Sequence, residues 1–379
     1  MKIAMIGHKR IPSREGGIEI VVEEISRRLV ERGHTVHAYN RMGKYVYGSD
    51  DACRKIKEYK GIKIIHVPTI PVKGMDALIY SFFATFLALF RRYDIIHFHA
   101  EGPGVMIFIT HLFGIKSVAT VHGLDWQRAK WGNFASRYIK YGEKTIANYA
   151  NEIIVLSTNN QKYFFTNYNR NSNFIPNGVN KPAIRETSLI THKYGLRIHD
   201  YILFLSRLVP EKGLDYLIDA FSNIKTDIKL VIAGGSSHSD EYVEKIKEKA
   251  SSDNRIIFTG FADGELLEEL FSNCLVYILP SDIEGMPLSL LEAMSYGCIC
   301  LVSDISENIE VVEDYAVTFK KSDKNDLQGK LEYLINRGFN NYTPSEISSF
   351  ILKKYNWDQV VDKHLKLYNN TKKAVNNGY

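Results

Sequence analysis

The chain has 379 residues, 45% of them hydrophobic, and one core rarely grows past roughly 250 to 300 residues, so two domains are expected. A charged share of 24% excludes large-scale disorder. The net charge of +5 suits phosphorylated substrates or an anionic membrane surface, and the absence of basic stripes with interleaved aromatics argues against nucleic acid as a partner.

The N-terminus, MKIAMIGHKR, has too short an apolar run for a signal peptide and reads as a first strand. KIAMIG, HTVHAY, IKIIHV, DIIHFH, KSVATVH and EIIVLS are predicted strands, with helices intervening, for example over 18–32 and 134–151. Such alternation predicts a parallel sheet covered on both faces. After IPNGVN (175–180) comes a polar stretch with little periodicity, and the first domain is drawn over 1–180. YILFLS, IKLVIAG, RIIFTG, LVYILP, CICLVS and AVTF then restart the pattern, with helices over 214–223 and 239–250, as a second doubly wound domain over 181–356. An amphipathic helix from Trp357 to Tyr368, in the tail 357–379, is expected to pack back on the first domain. The fold class is therefore α/β, two Rossmann-like domains facing across a cleft, with ligands at the carboxyl ends of the strands. Cys53, Cys274, Cys298 and Cys300 lack paired metal spacing and read as buried thiols in a reducing compartment. The longest apolar run, 77–90, is short of the roughly 20 residues that span a bilayer. The expected location is cytoplasmic, either free or peripheral on the inner face of the cell membrane.

Candidate site residues fall at predicted strand ends. In GHKRIPSREGGIEIVVEEI, Gly16 and Gly17 precede a helix, where backbone can approach phosphate closely, although a Gly-Gly pair is also a common turn. G-x-G-x-x-G is absent, which counts against a hydride-transferring dehydrogenase. In TVHGLDWQRAKWG, His122, Asp125, Trp126 and Arg128 follow a strand, and His122 could donate to a ligand hydroxyl. IIHFHAEGPG offers His97, His99 and Glu101 more weakly. In FLSRLVPEKGLDYLI, Arg207 and Lys212 can neutralise a diphosphate and the charge that builds on it as it leaves, where the alternative is a solvated basic loop. In SDIEGMPLSLLEAMSYG, Glu284 lies in a loop and Glu292 within a helix that begins near Pro287. A helix N-terminus, an anion site, lies between the two carboxylates. A nucleotide sugar has that shape, although Glu292 could equally be a surface residue.

SRLVPEKG, GFADGELLEEL, EGMPLSLLEAMSYG, IPNGV and the Gly-Gly loop together resemble the retaining glycosyltransferases of family 4, which have the GT-B fold. The resemblance covers essentially the whole chain. HGLDWQRAKWG is similar to a bacterial subgroup that builds surface polysaccharides (capsule, O-antigen, exopolysaccharide) on lipid carriers. The resemblance implies that Glu284 holds donor-sugar hydroxyls, Glu292 the ribose, and Arg207 with Lys212 the diphosphate. Gly16 and Gly17 would approach the diphosphate, His122 would lie against the sugar, and Phe261 with Ala262 would line the base pocket. Gly285, Met286, Pro287 and Leu288 complete the donor side, and His99, Glu101, Asp125, Trp126 and Arg128 are the acceptor candidates. Asn180 stands where many relatives carry aspartate and is given no role. The implied donor is a nucleotide-diphosphate sugar, and the implied acceptor a sugar on a polyprenyl diphosphate or another carrier. No cofactor and no metal are expected, although Asp282 and Glu284 form a D-x-E pair resembling a metal-binding D-x-D. A nucleotide-sugar epimerase of similar architecture and a non-catalytic sugar-nucleotide-binding protein are the rival readings.

Two segments bear on the membrane. The run over 77–90, flanked by Lys73, Arg91 and Arg92, is apolar nearly all round; such a helix belongs in a core, and docking on a membrane surface is the alternative. The basic and aromatic run with Trp126, Arg128, Lys130, Trp131, Arg137 and Lys140 better fits a membrane-proximal surface.

Overall fold

The computed structural model describes residues 1–43, 46, 53–70, 72, 75–127, 132–237, 239–339 and 341–373. The chain forms two compact units, the first built from the N-terminal part up to Asn177 together with the segment from Trp357, the second chiefly from Gly178–Asn356.

The first unit holds β1 (Lys2–Ile6), β2 (Thr35–Met42), β3 (Glu58–Tyr59), β4 (Ile62–Pro68), β5 (Ile95–His99), β6 (Ser117–Val121), β7 (Glu152–Val155) and β8 (Asn173–Phe174). They form one sheet in the order β3-β4-β2-β1-β5-β6-β7-β8, parallel except for the β3/β4 edge pair. Its helices are α1 (Gly17–Glu31), α2 (Met75–Leu89), α3 (Glu101–Gly104), α4 (Ile107–Leu112), α5 (Asn133–Tyr149) and α6 (Thr158–Tyr168). Central strands are apolar on both faces because helices cover both, and Ile6, Tyr39, Tyr80, Phe98, Val121, Val155 and Phe164 meet in the core.

The second unit holds α7 (Leu189–Tyr194), β9 (Tyr201–Leu205), α8 (Leu214–Ser222), β10 (Lys229–Ala233), α9 (Asp240–Ala250), β11 (Ile256–Gly260) and α10 (Gly264–Asn273). It continues with β12 (Val276–Leu279), α11 (Leu288–Ser295), β13 (Cys300–Ser303), α12 (Ser306–Val312), β14 (Val317–Phe319), α13 (Lys324–Arg337) and α14 (Pro344–Lys354). Its sheet runs β11-β10-β9-β12-β13-β14, all parallel. In both sheets the chain moves outward one way from the first strand and then returns to build the other way. That reversal puts a switch point between β1 and β5, and another between β9 and β12, where loops diverge and ligands bind.

Several expectations need correction or extension. Helix α7 lies in the stretch that shows little periodicity. Its N-terminus is fastened by Glu269, whose carboxylate accepts the backbone N–H groups of Ser188, Leu189 and Ile190 at 3.0 Å each, a long-range contact that supplies what local pattern does not. The last helix, α15 (Trp357–Lys373), runs five residues beyond Tyr368 and packs on α1, with the Arg28 guanidinium 5.8 Å from the Trp357 ring and Arg32 3.2 Å from Asp358. The run over 77–90 is not enclosed in the core. Its helix buries Tyr80, Ala84 and Ala88 and leaves Phe82, Phe83, Phe86 and Phe90 exposed. Among the described residues no helix is long and apolar enough to cross a membrane. Cys274, Cys298 and Cys300 are buried free thiols.

Candidate active site

Strands β9 and β12 pair with Tyr277 opposite Leu203 and Ile278 opposite Phe204, so the loops leaving their carboxyl ends lie side by side. The β9 loop passes Arg207, makes a tight turn over Pro210–Lys212 and enters α8 through Gly213 at φ +69. A Cβ at Gly213 would collide with the Pro280 carbonyl and the Tyr216 hydroxyl, so glycine lets the turn rest on the β12 loop. Tyr216 donates to the Pro280 carbonyl, and the Asp282 amide donates to the Glu211 carbonyl at 2.9 Å. The outcome is an ion pair between Lys212 and Glu284, whose side chains are 8% and 7% exposed. The two charges that sequence assigned to different parts of a ligand are thus each other's partners. Glu211, which sequence reading did not single out, is equally buried, and among the described residues neither of its carboxylate oxygens has a hydrogen-bond partner.

Asp282 accepts the Ser322 hydroxyl at 2.7 Å and lies 3.3 Å from the Tyr216 oxygen, while Glu284 holds an ammonium. The D-x-E carboxylates therefore serve different partners. Among the described residues no group of three His, Cys, Asp or Glu side chains is arranged to hold a metal. After Glu284 the chain buries Gly285, Met286 and Pro287, half-buries Leu288 and enters α11, which carries Glu292. The Tyr277 hydroxyl donates to Ser289 at 2.8 Å and ties the first turn of α11 to β12. Arg207 is half-buried, Phe261 is 48% exposed and Ala262 is half-buried in the loop after β11. Strand β11 lies two places from β9, about 10 Å across the sheet.

At the β1/β5 switch point the chemistry is different. Gly7, at φ +124, leaves no room for a Cβ against the His99 carbonyl, so the two strand ends cross in contact. The Asn40 amide donates to the Ile11 carbonyl at 2.8 Å and accepts from its N–H at 3.0 Å, which fixes its orientation. Its oxygen must then accept from His8 Nε2, 3.0 Å away, and places the His8 proton on that nitrogen. Burial pushes the His8 pKa down to about 4. Gly16 caps α1, but the Glu19 carboxylate folds back against it and accepts the Lys9 N–H at 2.8 Å. A carboxylate thus stands where the Gly-Gly loop is expected to meet phosphate. The glutamate three residues after the cap is the signal that could have found it.

His99 closes β5 and His122 follows the adjacent β6, and His99 Nδ1 lies 3.0 Å from His122 Nε2. One ring donates and the other accepts in that bond. Burial holds His97 and His99 well below the usual imidazole range. His97 bonds Tyr368 and Thr120 at 2.7 Å each. Ala100, next in line, has φ 73, a region that costs a non-glycine residue on the order of 1 to 3 kcal/mol. Glu101 accepts the Asp125 N–H at 3.1 Å, and burial, with Asp125 nearby, pushes its carboxyl well above the usual range. Neither His99 nor Glu101 has any exposed surface, so both stand behind His122 and Asp125 rather than facing an acceptor.

Trp126 and Lys140, both half-buried, share a carboxylate partner beneath the surface. The Trp126 indole donates to Glu143 at 2.9 Å, Lys140 donates to the same carboxylate at 2.8 Å and lies 4.3 Å from the Trp126 ring centroid, and Tyr163 and Tyr168 add their hydroxyls. Four partners around a fully buried Glu143 leave these two side chains little freedom to meet lipid. Arg137 is exposed. Arg128, Lys130 and Trp131 lie outside the described residues.

Residues 15–181 match the model of Glycosyltransferase Family 4, and residues 198–346 that of Glycosyl transferases group 1. An uncharacterized glycosyltransferase of Methanocaldococcus jannaschii is 25% identical, over 97% of this chain and 98% of its own. The Escherichia coli UDP-Gal:α-D-GlcNAc-diphosphoundecaprenol α-1,3-galactosyltransferase is 28% identical over 58% of this chain and 59% of its own. Among solved structures, sucrose-phosphate synthase from Thermosynechococcus elongatus superposes with a TM-score of 0.83 at 20% identity, covering 98% of this chain and 99% of that one. Anabaena HepE, solved with UDP and glucose, superposes with a TM-score of 0.80 at 17% identity, covering 98% and 100%. The two family matches together take in most of the chain, and the protein belongs to the family 4 glycosyltransferases, with the GT-B fold.

Proposed function

We propose that the protein is a retaining glycosyltransferase that moves a hexose or rhamnose from a nucleotide-diphosphate sugar to a sugar acceptor on a polyprenyl diphosphate. It would act in the synthesis of a bacterial surface polysaccharide, peripherally at the inner face of the cell membrane and without a metal ion. The observation that carries the reading is the buried Lys212–Glu284 pair at the β9/β12 switch point, with Arg207 on the same loop. Arg207 and Lys212 stabilise the diphosphate as charge develops on it, and Glu284 both orients Lys212 and accepts donor-sugar hydroxyls. Glu292 binds the ribose, and Phe261 offers an exposed ring face to the base about 10 Å across the sheet. In the transfer, the bond from the sugar C1 to the phosphate oxygen breaks and the acceptor oxygen bonds C1 on the same face. The acceptor proton passes to the departing phosphate oxygen, so the protein positions and stabilises without a covalent nucleophile.

The separate partners of Asp282 and Glu284 support the metal-free reading. The E. coli relative, named for transfer to a diphosphoundecaprenol-linked sugar, supports the acceptor class, and the Anabaena structure with UDP-glucose supports the donor class. The test is the anomeric configuration of the product, read by NMR after reaction of an α-configured donor with a polyprenyl-diphosphate-linked sugar. An inverted product ends the retaining reading, and an epimerised donor without transfer ends the acceptor reading.

A further inference from the structure

Helix α2 buries Tyr80, Ala84 and Ala88 through four-residue spacing, and the same spacing sets Phe82 and Phe86 along its outer side, with Phe90 continuing the row in the turn that follows its last residue. These three side chains are 46%, 47% and 72% exposed, and Phe83 adds another at 43%. The rings lean on one another: Phe82 and Phe86 are near parallel at 6.4 Å, and Phe86 and Phe90 meet edge-on at 5.1 Å. Helix α2 packs against α4, at whose end Leu112 and Phe113 are 74% and 66% exposed. No charged residue occurs between 77 and 90, and Arg91 and Arg92, both exposed, follow at once.

We propose that this phenylalanine ridge is the surface by which the protein binds an anionic lipid bilayer, with α2 lying in the headgroup region and Arg91 and Arg92 against lipid phosphates. A helix of 15 residues is about 22 Å long, too short to span but suited to lying in the interface. A protein partner is the weaker fit. Protein interfaces carry roughly one hydrogen bond per 100 to 200 Å², and from Phe82 to Phe90 the outer row is phenylalanine alone. Cations at the end of an apolar row complement a negatively charged leaflet. The inference rests on the lipid-linked acceptor reading for its purpose, and it is read out by binding alone.

The experiment is sedimentation of the full chain with vesicles of phosphatidylcholine, with and without phosphatidylglycerol, at low and high salt. Wild type should pellet with the anionic vesicles. F82S/F86S/F90S should lower partitioning by at least about 10-fold, because each substitution removes apolar surface from the bilayer. R91Q/R92Q should lower it on the order of 10-fold on anionic vesicles at low salt, with no change on neutral ones. Phe165→Ser, 57% exposed on α6, should bind as wild type. If circular dichroism shows the triple variant misfolded, Phe90→Ser alone serves, since that ring is the most exposed of the row. The proposal is overturned if the ridge variant binds like wild type, if wild type pellets with no vesicle, or if wild type is a dimer that the ridge variant dissolves. Vesicle binding together with transfer only to water-soluble sugars would remove the lipid-linked acceptor and keep the surface. Transfer to a lipid-linked sugar without vesicle binding would do the reverse.

Discussion

At the β1/β5 switch point the buried side chains are imidazoles: His8, His97 and His99 are pushed toward the neutral form by burial, and His122 lies 3.0 Å from His99. At the β9/β12 switch point the buried side chains are an ammonium and a carboxylate, with a guanidinium on the same loop. Both corners rely on one backbone device, a glycine at positive φ seated against a neighbouring carbonyl, Gly7 on His99 and Gly213 on Pro280. The topology thus decides where loops meet, while the residues around the glycine decide whether the corner works through fixed charge or through hydrogen-bonding imidazoles. The two corners should therefore fail under different insults.

The sharpest break is Lys212→Ala. It removes a charge that matters most as the leaving group develops and strands Glu284 in a buried setting, so transfer should fall on the order of 100-fold or more and the second unit should lose about 3 kcal/mol. Transfer assays and proteolysis of the second unit measure the two effects, and wild-type values for both would remove the pair from mechanism and fold alike.

Acid should strike the other corner. His8 and His364 each have a pKa lowered from 6.5 to about 4, so their contribution is complete above pH 6.5 and is lost as pH falls toward 4. At pH 5 each should weaken the first unit on the order of 2 kcal/mol, whereas His192 and His199 of the second unit lie exposed. Residues 178–356 contain no tryptophan, so tryptophan fluorescence reports the first unit. Its urea midpoint should drop between pH 7 and pH 5, and a constant midpoint would sink the contrast.

A smaller effect is expected for His99→Phe, which keeps a flat aromatic ring, somewhat larger than imidazole, and removes the ring nitrogen 3.0 Å from His122. Turnover should fall about 10-fold with the KM for donor little changed, as for loss of a group that orients another. A change in KM alone would make His99 merely structural. Mildest of all should be Asp282→Asn, since its oxygen accepts the Ser322 hydroxyl, which an amide oxygen can also accept. Activity within about three-fold of wild type, retained in EDTA, is the expected result. Loss in EDTA with recovery on adding magnesium would return the D-x-E pair to metal binding.

What sequence made legible was what periodicity and turn chemistry control. The strand and helix alternation, the turn at Pro280–Pro287 and the Arg207–Lys212 loop were readable because their signals lie within a dozen residues. What escaped depends on distance. His97 meets Tyr368 across 271 residues, and Glu269 fastens α7 from 79 to 81 positions away. Helix α2 escaped for another reason: an apolar residue at nearly every position carries no period, so its outward row could not be told from its inward one. Trp126 and Lys140 were readable as amphipathic, but not as partners of Glu143.

The first unit is interrupted in sequence by the second, because α15 belongs with α1 and β5. Ribosomal synthesis runs from one end, so every residue of 178–356 is made before Tyr368 can reach His97 or Trp357 can lie under Arg28. The part translated first is thus the part completed last, and until the final helix emerges the nascent chain carries an imidazole one of whose two partners has not yet been made.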